Sequence, residues 1–368
     1  MREITIIYDG SHYIYRWLKP LMWARDEFST YGYSLHFLNY SDYLPIFKNK
    51  EKKSLFKAVK CKYDIVMLAF HHSTSYLCTC SANERLSLLQ QIRQNCNSLI
   101  WLDTADSTGT CMFDVMPVVD FYLKKQILKD KQRYLSPIWG GRTFCEYYHA
   151  TSGLDDDQLR QDYSVLNAKF IDKLRLSWNV GLGDLFAKGI SLLFHPFDMV
   201  KPQFIDPNSN IKDLELHFRG SGWSPVAGFQ RSKCRELVDK LENISHPDVN
   251  TKIPYKKYVE EIKRAKMVLS PFGWGEICTR DFEAFAYGAT LIKPSMEHAI
   301  TYPNWYIPNK TYIPLKWDFS NFHEIINNRG SMRFNEIANN GYELFQYYRT
   351  SNKAKVEFAK HVIDMITK

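Results

Sequence analysis

Residues 270–294 read SPFGWGEICTRDFEAFAYGATLIKP, and this stretch says most about the fold. It predicts a buried strand over Met267–Leu269, a glycine turn at Gly273 and Gly275, a helix that opens near Glu276, and a second strand over Thr290–Ile292. A strand that leads through a glycine turn into a helix leaves backbone N–H groups free at the helix N-terminus. Those groups and the helix dipole attract a phosphate or diphosphate. The stretch therefore predicts a site for phosphate groups.

Arg280 and Glu283 share one face of the predicted helix, because they are three residues apart. Arg280 adds a permanent cation whose fork geometry suits phosphate. A carboxylate at Glu283 would accept hydrogen bonds from vicinal hydroxyls, as acidic residues do with a ribose. Phosphate donors and a ribose acceptor on one helix predict a nucleoside diphosphate site. The alternative is an ordinary strand–helix unit with a surface Arg–Glu pair.

The segment Glu283-Ala-Phe-Ala-Tyr-Gly288, followed by Ala-Thr-Leu-Ile, resembles the donor-binding motif of GT-B nucleotide-sugar glycosyltransferases, particularly the exostosin-like and group 1 types. That motif has a Pro-x-Gly turn, an Arg and then Glu-Ala-x-Ala-x-Gly before a hydrophobic strand. The resemblance implies donor contacts by Gly273, Trp274, Gly275, Glu276, Arg280 and Glu283. One departure is Gly275, because retaining group 1 enzymes place a second Glu at this register. Glu276 is one residue away from it.

Short hydrophobic strands alternate with helical stretches in both halves of the chain. Predicted strands include Ile4–Tyr8, Ser34–Leu38, Asp64–Ala69, Ser98–Leu102, Leu214–Phe218 and Tyr312–Leu315, and predicted helices include Asn83–Gln94, Gln230–Leu241, Tyr255–Lys266 and Ser320–Asn327. We therefore expect an α/β fold with two Rossmann-like domains facing a central cleft, as in GT-B architecture. The expected parts are an acceptor-binding domain over residues 1–200, a donor-binding domain over 201–334, and C-terminal helices over 335–368 that return to the first domain.

Polar clusters follow the predicted strands of the first half, where ligands of parallel sheets bind. Asp103 and Asp106 follow one strand, and His12, His71 and His72 follow two others. Sugar transfer with inversion needs a carboxylate or His that deprotonates the acceptor hydroxyl, and transfer with retention uses a carboxylate as nucleophile or charge stabiliser. Asp103, Asp106 and His12 are the catalytic candidates, with His71 and His72 as rivals. The alternative for either Asp is a turn or a helix cap.

The loop Arg219-Gly-Ser-Gly222 follows the first predicted strand of the second half. GT-B enzymes contact the donor phosphate from the corresponding loop, which the resemblance carries over to Arg219 and Gly220. A plain tight turn explains the glycines equally well. His195-Pro196 is similar to the pair with which some CMP-sugar transferases hold the cytidylate phosphate. A UDP-sugar is the favoured donor, ahead of GDP- and CMP-sugars, because UDP is the commonest donor in the resembling families.

No metal ion is expected at the site. Asp155-Asp156-Asp157 has the Asp-x-Asp spacing of metal-dependent GT-A enzymes, but its context predicts the acidic first turn of a helix. His71 and His72 are adjacent, so on a strand they would point to opposite faces. Among the eight cysteines, Cys78-x-Cys80 is the only close spacing, and buried or free thiols are expected.

The chain has 368 residues and a formal net charge of +8, and it lacks a signal-peptide core and any run of roughly 20 apolar residues. A cytoplasmic protein is therefore expected. The most basic stretch, Lys48–Lys62, predicts either an amphipathic helix on the anionic inner face of a membrane or a solvated helix packed on its own domain. No nucleic-acid recognition motif accompanies it, so no nucleic acid partner is expected.

These observations and the resemblance together predict a metal-independent glycosyltransferase. It would move a sugar from a nucleotide-sugar donor to a hydroxyl of a glycan or lipid-linked glycan, in surface polysaccharide or protein-glycan assembly, without a further cofactor. A nucleotide-sugar epimerase-like GT-B enzyme and a non-catalytic carbohydrate-binding protein are the alternatives. The sequence does not fix the sugar, the acceptor or the stereochemical outcome.

Overall fold

The computed structural model of the chain describes residues 1–40, 62–159, 163–183, 202–220 and 222–367. The strands are β1 (Arg2–Tyr8), β2 (Tyr33–Asn39), β3 (Tyr63–Ala69), β4 (Cys96–Asp103), β5 (Phe121–Lys124), β6 (Gln126–Leu128), β7 (Leu174–Leu176), β8 (Leu214–His217), β9 (Ala265–Leu269), β10 (Thr290–Pro294), β11 (Ala299–Thr301) and β12 (Ile313–Leu315). The helices are α1 (His12–Trp23), α2 (Arg25–Thr30), α3 (Tyr76–Thr79), α4 (Ala82–Arg93), α5 (Thr143–Ser152), α6 (Phe229–Asp239), α7 (Tyr255–Arg264), α8 (Thr279–Ala286), α9 (Phe322–Asn327), α10 (Met332–Thr350) and α11 (Asn352–Thr367).

The first unit is built on a parallel sheet with the strand order β2-β1-β3-β4-β5-β7. The last five residues of β1 are all buried, as expected for a parallel strand covered on both faces. The strand order reverses between β1 and β3, and such a reversal opens a crevice at the carboxyl ends of the strands. Asp9 joins these two ends, because its carboxylate accepts hydrogen bonds from the backbone N–H groups of Ser11 (3.0 Å) and His71 (2.7 Å).

The second unit is built on a parallel sheet with the order β12-β10-β9-β8. A buried ion pair between Asp281 and Lys293, 3.0 Å long, ties α8 to β10. The Asp281 carboxylate also accepts hydrogen bonds from the hydroxyls of Ser270 (2.6 Å) and Tyr306 (2.7 Å). Removal of one partner from a buried pair is strongly destabilising, so this cluster fixes the position of α8.

The predicted fold class is confirmed, since each unit is a helix-covered parallel sheet and cavities open between the two units. The four strands predicted in the first half correspond to β1–β4, with ends that differ by one or two residues. The helix predicted to open near Glu276 begins instead at Thr279. Cys278 is its N-cap, and the backbone N–H of Cys278 donates to Asp281 (3.0 Å).

The acidic run Asp155–Asp157 does not open a helix. It follows the end of α5 and lies in an irregular segment and a turn. Asp156 is buried, and its carboxylate accepts hydrogen bonds from the backbone N–H of Gln158 (3.0 Å) and from the hydroxyl of Ser224 in the second unit. The prediction of an acidic first helical turn is therefore wrong, because the carboxylate of Asp156 contacts Ser224 of the second unit instead of opening a helix.

Two further contacts join the units. Strand β6 of the first unit pairs antiparallel with β11 of the second. The last helix, α11, packs on the first unit, where the Phe358 ring lies edge-on to Trp178 (5.4 Å between centroids) and the imidazole of His361 is 3.1 Å from the carbonyl oxygen of Ser177. The domain boundary near residue 200 lies outside the described residues, as do His195-Pro196 and residues 48–61 of the basic stretch.

The seven cysteines in the described part of the chain are free thiols, and Cys78, Cys96, Cys111, Cys145 and Cys234 are buried. Burial raises the pKa of Cys78 and Cys111 to about 12. Such thiols pack as small apolar side chains rather than react. None of the described helices combines the length and apolar character needed to cross a bilayer.

Candidate active site

Two cavities meet between the units. The larger, about 1080 Å³, lies at the carboxyl ends of β3 and β4 in the first unit. The smaller, about 470 Å³, lies over the loop 273–279 and the first turns of α8, with Tyr255 and Tyr258 of α7 at its border. Asp106 of the first unit and Trp274 of the second border both cavities. Two ligands bound in these cavities would therefore meet beside Asp106 and Trp274.

Arg280 borders the smaller cavity from the second residue of α8. Its Nη2 donates to the backbone carbonyl of Arg219. Its Nε and Nη1 are buried and make no hydrogen bond of ordinary geometry within the described residues. Burial opposes its charge, but the neighbouring Tyr258, Cys278 and Glu283 raise its pKa. A buried donor without a partner costs about 1–3 kcal/mol, and more when it is charged. These two N–H groups are therefore suited to an anion in the cavity.

Arg231 of α6 is a second cation at the smaller cavity. Its Nε donates to the carbonyl of Phe272 (3.0 Å), and its guanidinium lies over the ring of Trp223 at 4.3 Å. A Cβ on Gly273 would be 2.8 Å from Nη2 of Arg231, so the glycine lets the guanidinium lie close to the loop backbone. Arg231 was not among the predicted site residues, because no motif spacing links α6 to the glycine turn.

Glu283 lies one turn beyond Arg280 and borders the same cavity. It is 4% exposed, and its carboxylate accepts a hydrogen bond from the hydroxyl of Tyr258. The half-exposed Tyr255 ring packs against that of Tyr258, with centroids 5.8 Å apart. The cavity thus has cations near the glycine turn and a carboxylate with two tyrosines near α7.

Arg219 does not direct its side chain at the cavity. The guanidinium forms a bidentate ion pair with Glu261 of α7 (2.6 and 2.8 Å) and donates to the carbonyls of Asp248 (2.9 Å) and Thr251 (2.6 Å). The carbonyl of Gly220 accepts a hydrogen bond from Arg235, and the carbonyl of Arg219 accepts one from Arg280. The loop 219–220 therefore positions other side chains, and its predicted donor contact stays a prediction.

Glu276 is fully buried and faces the first unit rather than either cavity. Its carboxylate accepts hydrogen bonds from the Thr108 hydroxyl (2.7 Å), the Thr108 N–H (3.1 Å), the Ser107 hydroxyl (3.2 Å) and the Gln126 amide (2.6 Å). Burial alone would raise its pKa, but the imidazole of His298, whose Nε2 lies 3.7 Å from Oε1, and the hydroxyl of Thr108 lower it to about 2. Glu276 is thus an ionised anchor between the units, and its predicted donor contact stays a prediction.

Trp274 is the exposed residue of the glycine turn, with 42% of its surface accessible. Arg142 of the first unit fixes it, since Nε of Arg142 donates to the Trp274 carbonyl (2.6 Å) and the guanidinium lies 5.2 Å from the ring centroid. The indole ring also packs against Trp223 at 5.5 Å. A flat aromatic surface therefore stands at the boundary of the two cavities.

The two aspartates predicted as catalytic differ in their hydrogen bonds and in their exposure. Asp103 is buried, and its carboxylate pairs with Lys124 (2.9 Å) and accepts from the Tyr122 hydroxyl and the Ala105 N–H (2.7 Å). Asp106 accepts at one oxygen, Oδ1, from the Tyr13 hydroxyl (2.9 Å) and the Lys125 ammonium (3.2 Å), and about a third of its side chain is exposed.

The Asp106 carboxylate is ionised at neutral pH. Burial by itself would raise its pKa, but the charge of Lys125, followed by that of His72, lowers the pKa to about 2. A carboxylate with such a pKa is a weak base at pH 7. The ionised carboxylate is better suited to stabilise positive charge that develops at a reacting carbon.

His12 is exposed in the first turn of α1 and borders neither cavity. His71 and His72 follow β3 and both border the larger cavity, with rings stacked 5.0 Å apart at an interplanar angle of 18°. The expectation that they point to opposite faces is therefore wrong, because they lie in a turn past the strand end. Burial lowers the pKa of His72, so its imidazole is neutral at pH 7.

A third arginine reaches the smaller cavity from the first unit. Arg16 of α1 borders it, as Asp106 does, and its Nε is buried without a hydrogen-bond partner in the described part of the chain. No sequence pattern indicates this residue, since it lies 264 positions before Arg280. In the same described residues, no group of three or more His, Cys, Asp and Glu side chains could hold a metal ion.

No family model matches this sequence, and no curated protein matches it. Among solved structures, the chain is similar to an α-glucosyltransferase in complex with UDP, at 12% identity and a TM-score of 0.44 over 100% of both chains. It is also similar to Anabaena HepE in complex with UDP and glucose, at 9% identity and a TM-score of 0.46 over 99% of this chain and 100% of that one. It is also similar to a GtfA/B complex, at 11% identity and a TM-score of 0.45, over 86% of this chain and 59% of the other. Similarity at these TM-scores does not say which ligand this chain binds.

Proposed function

We propose that this protein is a glycosyltransferase that moves a sugar from a nucleoside-diphosphate sugar to a hydroxyl of an acceptor. The observation that carries the proposal is the smaller cavity, which three arginines border and which meets the larger cavity at Asp106. The donor occupies the smaller cavity and the acceptor the larger one. Residues 201–334 are then the donor domain and residues 1–200 the acceptor domain.

The charge balance of the smaller cavity supports a diphosphate. Arg280 carries buried N–H groups that make no hydrogen bond of ordinary geometry in the described part of the chain, and Arg231 and Arg16 add two further cations. The carboxylates at the cavity already have partners, since Asp106 contacts Lys125 and Glu283 contacts Tyr258. A ligand with two phosphate groups supplies the missing negative charge, and arginine binds phosphate through paired N–H donors.

The nucleoside end of the donor lies at Glu283. The carboxylate is one helical turn from Arg280 on the same helix face, so a ribose attached to a phosphate at Arg280 can lie beside it. Tyr258 orients the carboxylate, and the exposed ring of Tyr255 lies beside it. UDP is the favoured nucleotide, on the resemblance of the segment 283–288 to the GT-B motif.

In the reaction, the acceptor oxygen forms a bond to the anomeric carbon while the bond from that carbon to the diphosphate breaks. Negative charge grows on the leaving diphosphate, and the guanidinium groups at the smaller cavity stabilise it without reorganisation. The arginines and the N-terminus of α8 would do this in place of a metal ion. The positive charge on the sugar ring is greatest when both bonds are long.

Asp106 is the group that we place at the reacting carbon. Its carboxylate is ionised, partly exposed and at the border of both cavities. His72 is the group that we place at the acceptor hydroxyl, since a neutral imidazole in the larger cavity can accept the proton. Asp103 holds Lys124 and Tyr122 in place beneath them.

A neutral saccharide is the acceptor class that the larger cavity favours. The carboxylates of Asp103 and Asp114 at this cavity are paired with Lys124 and Arg85, and the guanidinium of Arg142 donates to backbone carbonyls. Tyr13 and Trp274 offer aromatic surface. The acceptor is then a glycan or a lipid-linked glycan. For a lipid-linked acceptor, the basic residues 48–62 would bring the enzyme to an anionic membrane surface.

The test is a transfer assay in EDTA, with UDP-, GDP- and CMP-sugars and mixed glycan acceptors. We expect one nucleotide to be released in proportion to a glycosylated acceptor. Isomerised sugar without acceptor would identify an epimerase, and binding without any release would identify a non-catalytic carbohydrate-binding protein. A hydroxylated base in DNA, offered as acceptor, serves as the control for a nucleic-acid substrate. Turnover on that DNA alone would contradict the saccharide assignment.

A further inference from the structure

The proposed donor contacts on α8 and α6 belong to the second unit, but Arg16 belongs to the first. It stands on α1 and borders the smaller cavity together with Arg231 and Arg280. Its Nε is buried and has no hydrogen-bond partner among the described residues. A guanidinium whose role was purely structural would be expected to donate from this buried nitrogen to a carboxylate or a carbonyl.

The position of Arg16 along the cavity follows from its neighbour Tyr13. The two residues are three positions apart on α1 and so share one face of the helix. The hydroxyl of Tyr13 donates to Asp106 (2.9 Å) and lies 3.1 Å from the carbonyl oxygen of Thr104, which fixes this face beside the junction of the two cavities. From this shared face we place Arg16 at the Asp106 end of the smaller cavity, away from Glu283 on α8.

We propose that Arg16 binds the sugar-linked phosphate of the donor, so that the first unit distinguishes a nucleoside diphosphate from a monophosphate. The inference rests on the proposed function, in which Glu283 marks the nucleoside end and Asp106 the reacting carbon. The phosphate next to that carbon is the one nearest to Arg16, whereas Arg280 is one turn from the ribose. A diphosphate held by Arg16 and Arg280 also connects the two units across the cleft.

Arg16 then has two consequences for the reaction. It adds affinity for the distal phosphate in the ground state, and it faces the oxygen that gains negative charge as the glycosidic bond breaks. A nucleoside monophosphate reaches Arg280 but not Arg16. The ratio of the two dissociation constants, monophosphate over diphosphate, therefore reports on Arg16 separately from the rest of the cavity.

The experiment is calorimetry in EDTA with the pairs UDP and UMP, GDP and GMP, and CDP and CMP, on the wild type, Arg16→Ala, Arg16→Lys and Arg25→Ala. Arg25 is an exposed arginine at the start of α2 and serves as the matched control. A hydrogen bond to a charged group corresponds to roughly tenfold or more in affinity. We expect Arg16→Ala to weaken diphosphate binding about tenfold or more, to change monophosphate binding less than about twofold, and to leave the melting temperature unchanged. Arg16→Lys should restore part of the loss.

Three outcomes would overturn the inference. An unchanged ratio in Arg16→Ala would mean that Arg16 does not contact the distal phosphate, and equal losses for both nucleotides would place it elsewhere in the site. A wild type that binds CMP as tightly as any diphosphate would remove the distal phosphate from recognition. The proposed function fails separately, if Arg280→Ala binds the diphosphate as well as the wild type does.

Discussion

Gly275 lies directly against the backbone of Asp106. A Cβ on Gly275 would be 1.9 Å from the carbonyl oxygen of Asp106 and 3.1 Å from its Cβ. A Glu at position 275, as in the group 1 motif that this segment resembles, would not fit against this backbone. The space for a side chain at position 275 is filled by the first unit, which brings the carboxylate of Asp106 to the same place.

The first prediction is that Gly275→Ala disrupts the junction. The added methyl group would overlap a backbone oxygen, which cannot be relieved by a rotamer change, and overpacking typically costs about 1–3 kcal/mol. We expect a lower melting temperature and a loss of transfer activity. Gly330→Ala is the control, because a Cβ there meets nothing within 4 Å. Wild-type turnover in Gly275→Ala would show that the contact with Asp106 is not required.

The second prediction separates the two aspartates. Asp106→Asn should lower kcat by about a hundredfold or more, with donor affinity near wild type, because it removes charge from a partly exposed group at the reacting carbon. It should also lower the melting temperature, because the buried ammonium of Lys125 loses its charged partner. Asp103→Asn should instead destabilise the fold by about 3 kcal/mol, because it leaves the buried ammonium of Lys124 without its partner. Turnover and urea denaturation of both variants decide the point. The reverse pattern would exchange the two roles.

The third prediction concerns the ribose. Glu283→Ala should weaken binding of UDP about tenfold, the loss of a hydrogen bond to a charged group. It should barely change binding of 2′-deoxy-UDP, which lacks one of the vicinal hydroxyls. Glu260→Ala, an exposed carboxylate on the neighbouring helix α7, is the control. Calorimetry with both nucleotides measures the difference. Equal losses for UDP and 2′-deoxy-UDP would remove the ribose contact from the account.

The fourth prediction is an acid-sensitive contact between the units. The pKa of Glu276 is lowered from 4.5 to about 2 in the folded chain. A carboxylate with a lowered pKa stabilises the fold above its unfolded pKa, and that stability is lost as the pH falls from about 4.5 towards 2. The loss between pH 7 and pH 3 is about 2 kcal/mol. Urea denaturation at the two pH values should show this loss of stability in the wild type and a smaller loss in Glu276→Gln. Equal losses in the two proteins would contradict the role of Glu276.

The sequence predicted the parts of the fold that rest on local patterns. Strands β1–β4 are continuous apolar runs, and the segment 270–294 keeps its strand–turn–helix–strand order in the structure. The short strands β6 and β11 were missed, because three residues carry no periodicity and their pairing depends on contact between the units. The predicted start of α8 was wrong for the same reason, since the carboxylate of Glu276 accepts hydrogen bonds from Thr108 and Gln126 of the first unit.

Of the charged residues at the smaller cavity, some could be predicted from the sequence and others could not. Arg280 and Glu283 belong to one helix, so their spacing alone places them together. Arg16 and Arg231 come from two other helices, and only the tertiary fold brings them to the same cavity. The roles of Arg219 and Asp103 could not be read from position, because their partners Glu261 and Lys124 are distant in sequence or share no motif with them. Buried partners decide which charged side chains remain available for a ligand.

The central claim is that Arg280 binds the diphosphate of a nucleotide-sugar donor, and the most direct measurement is calorimetry with UDP in EDTA on the wild type and Arg280→Ala. Arg264→Ala, an exposed arginine paired with Asp213, is the matched control. We predict saturable binding to the wild type and the control, a loss of about tenfold or more in Arg280→Ala, and a fall of about 10²–10³ in its turnover. Equal affinity of Arg280→Ala and the wild type for UDP, GDP and CDP would contradict the account.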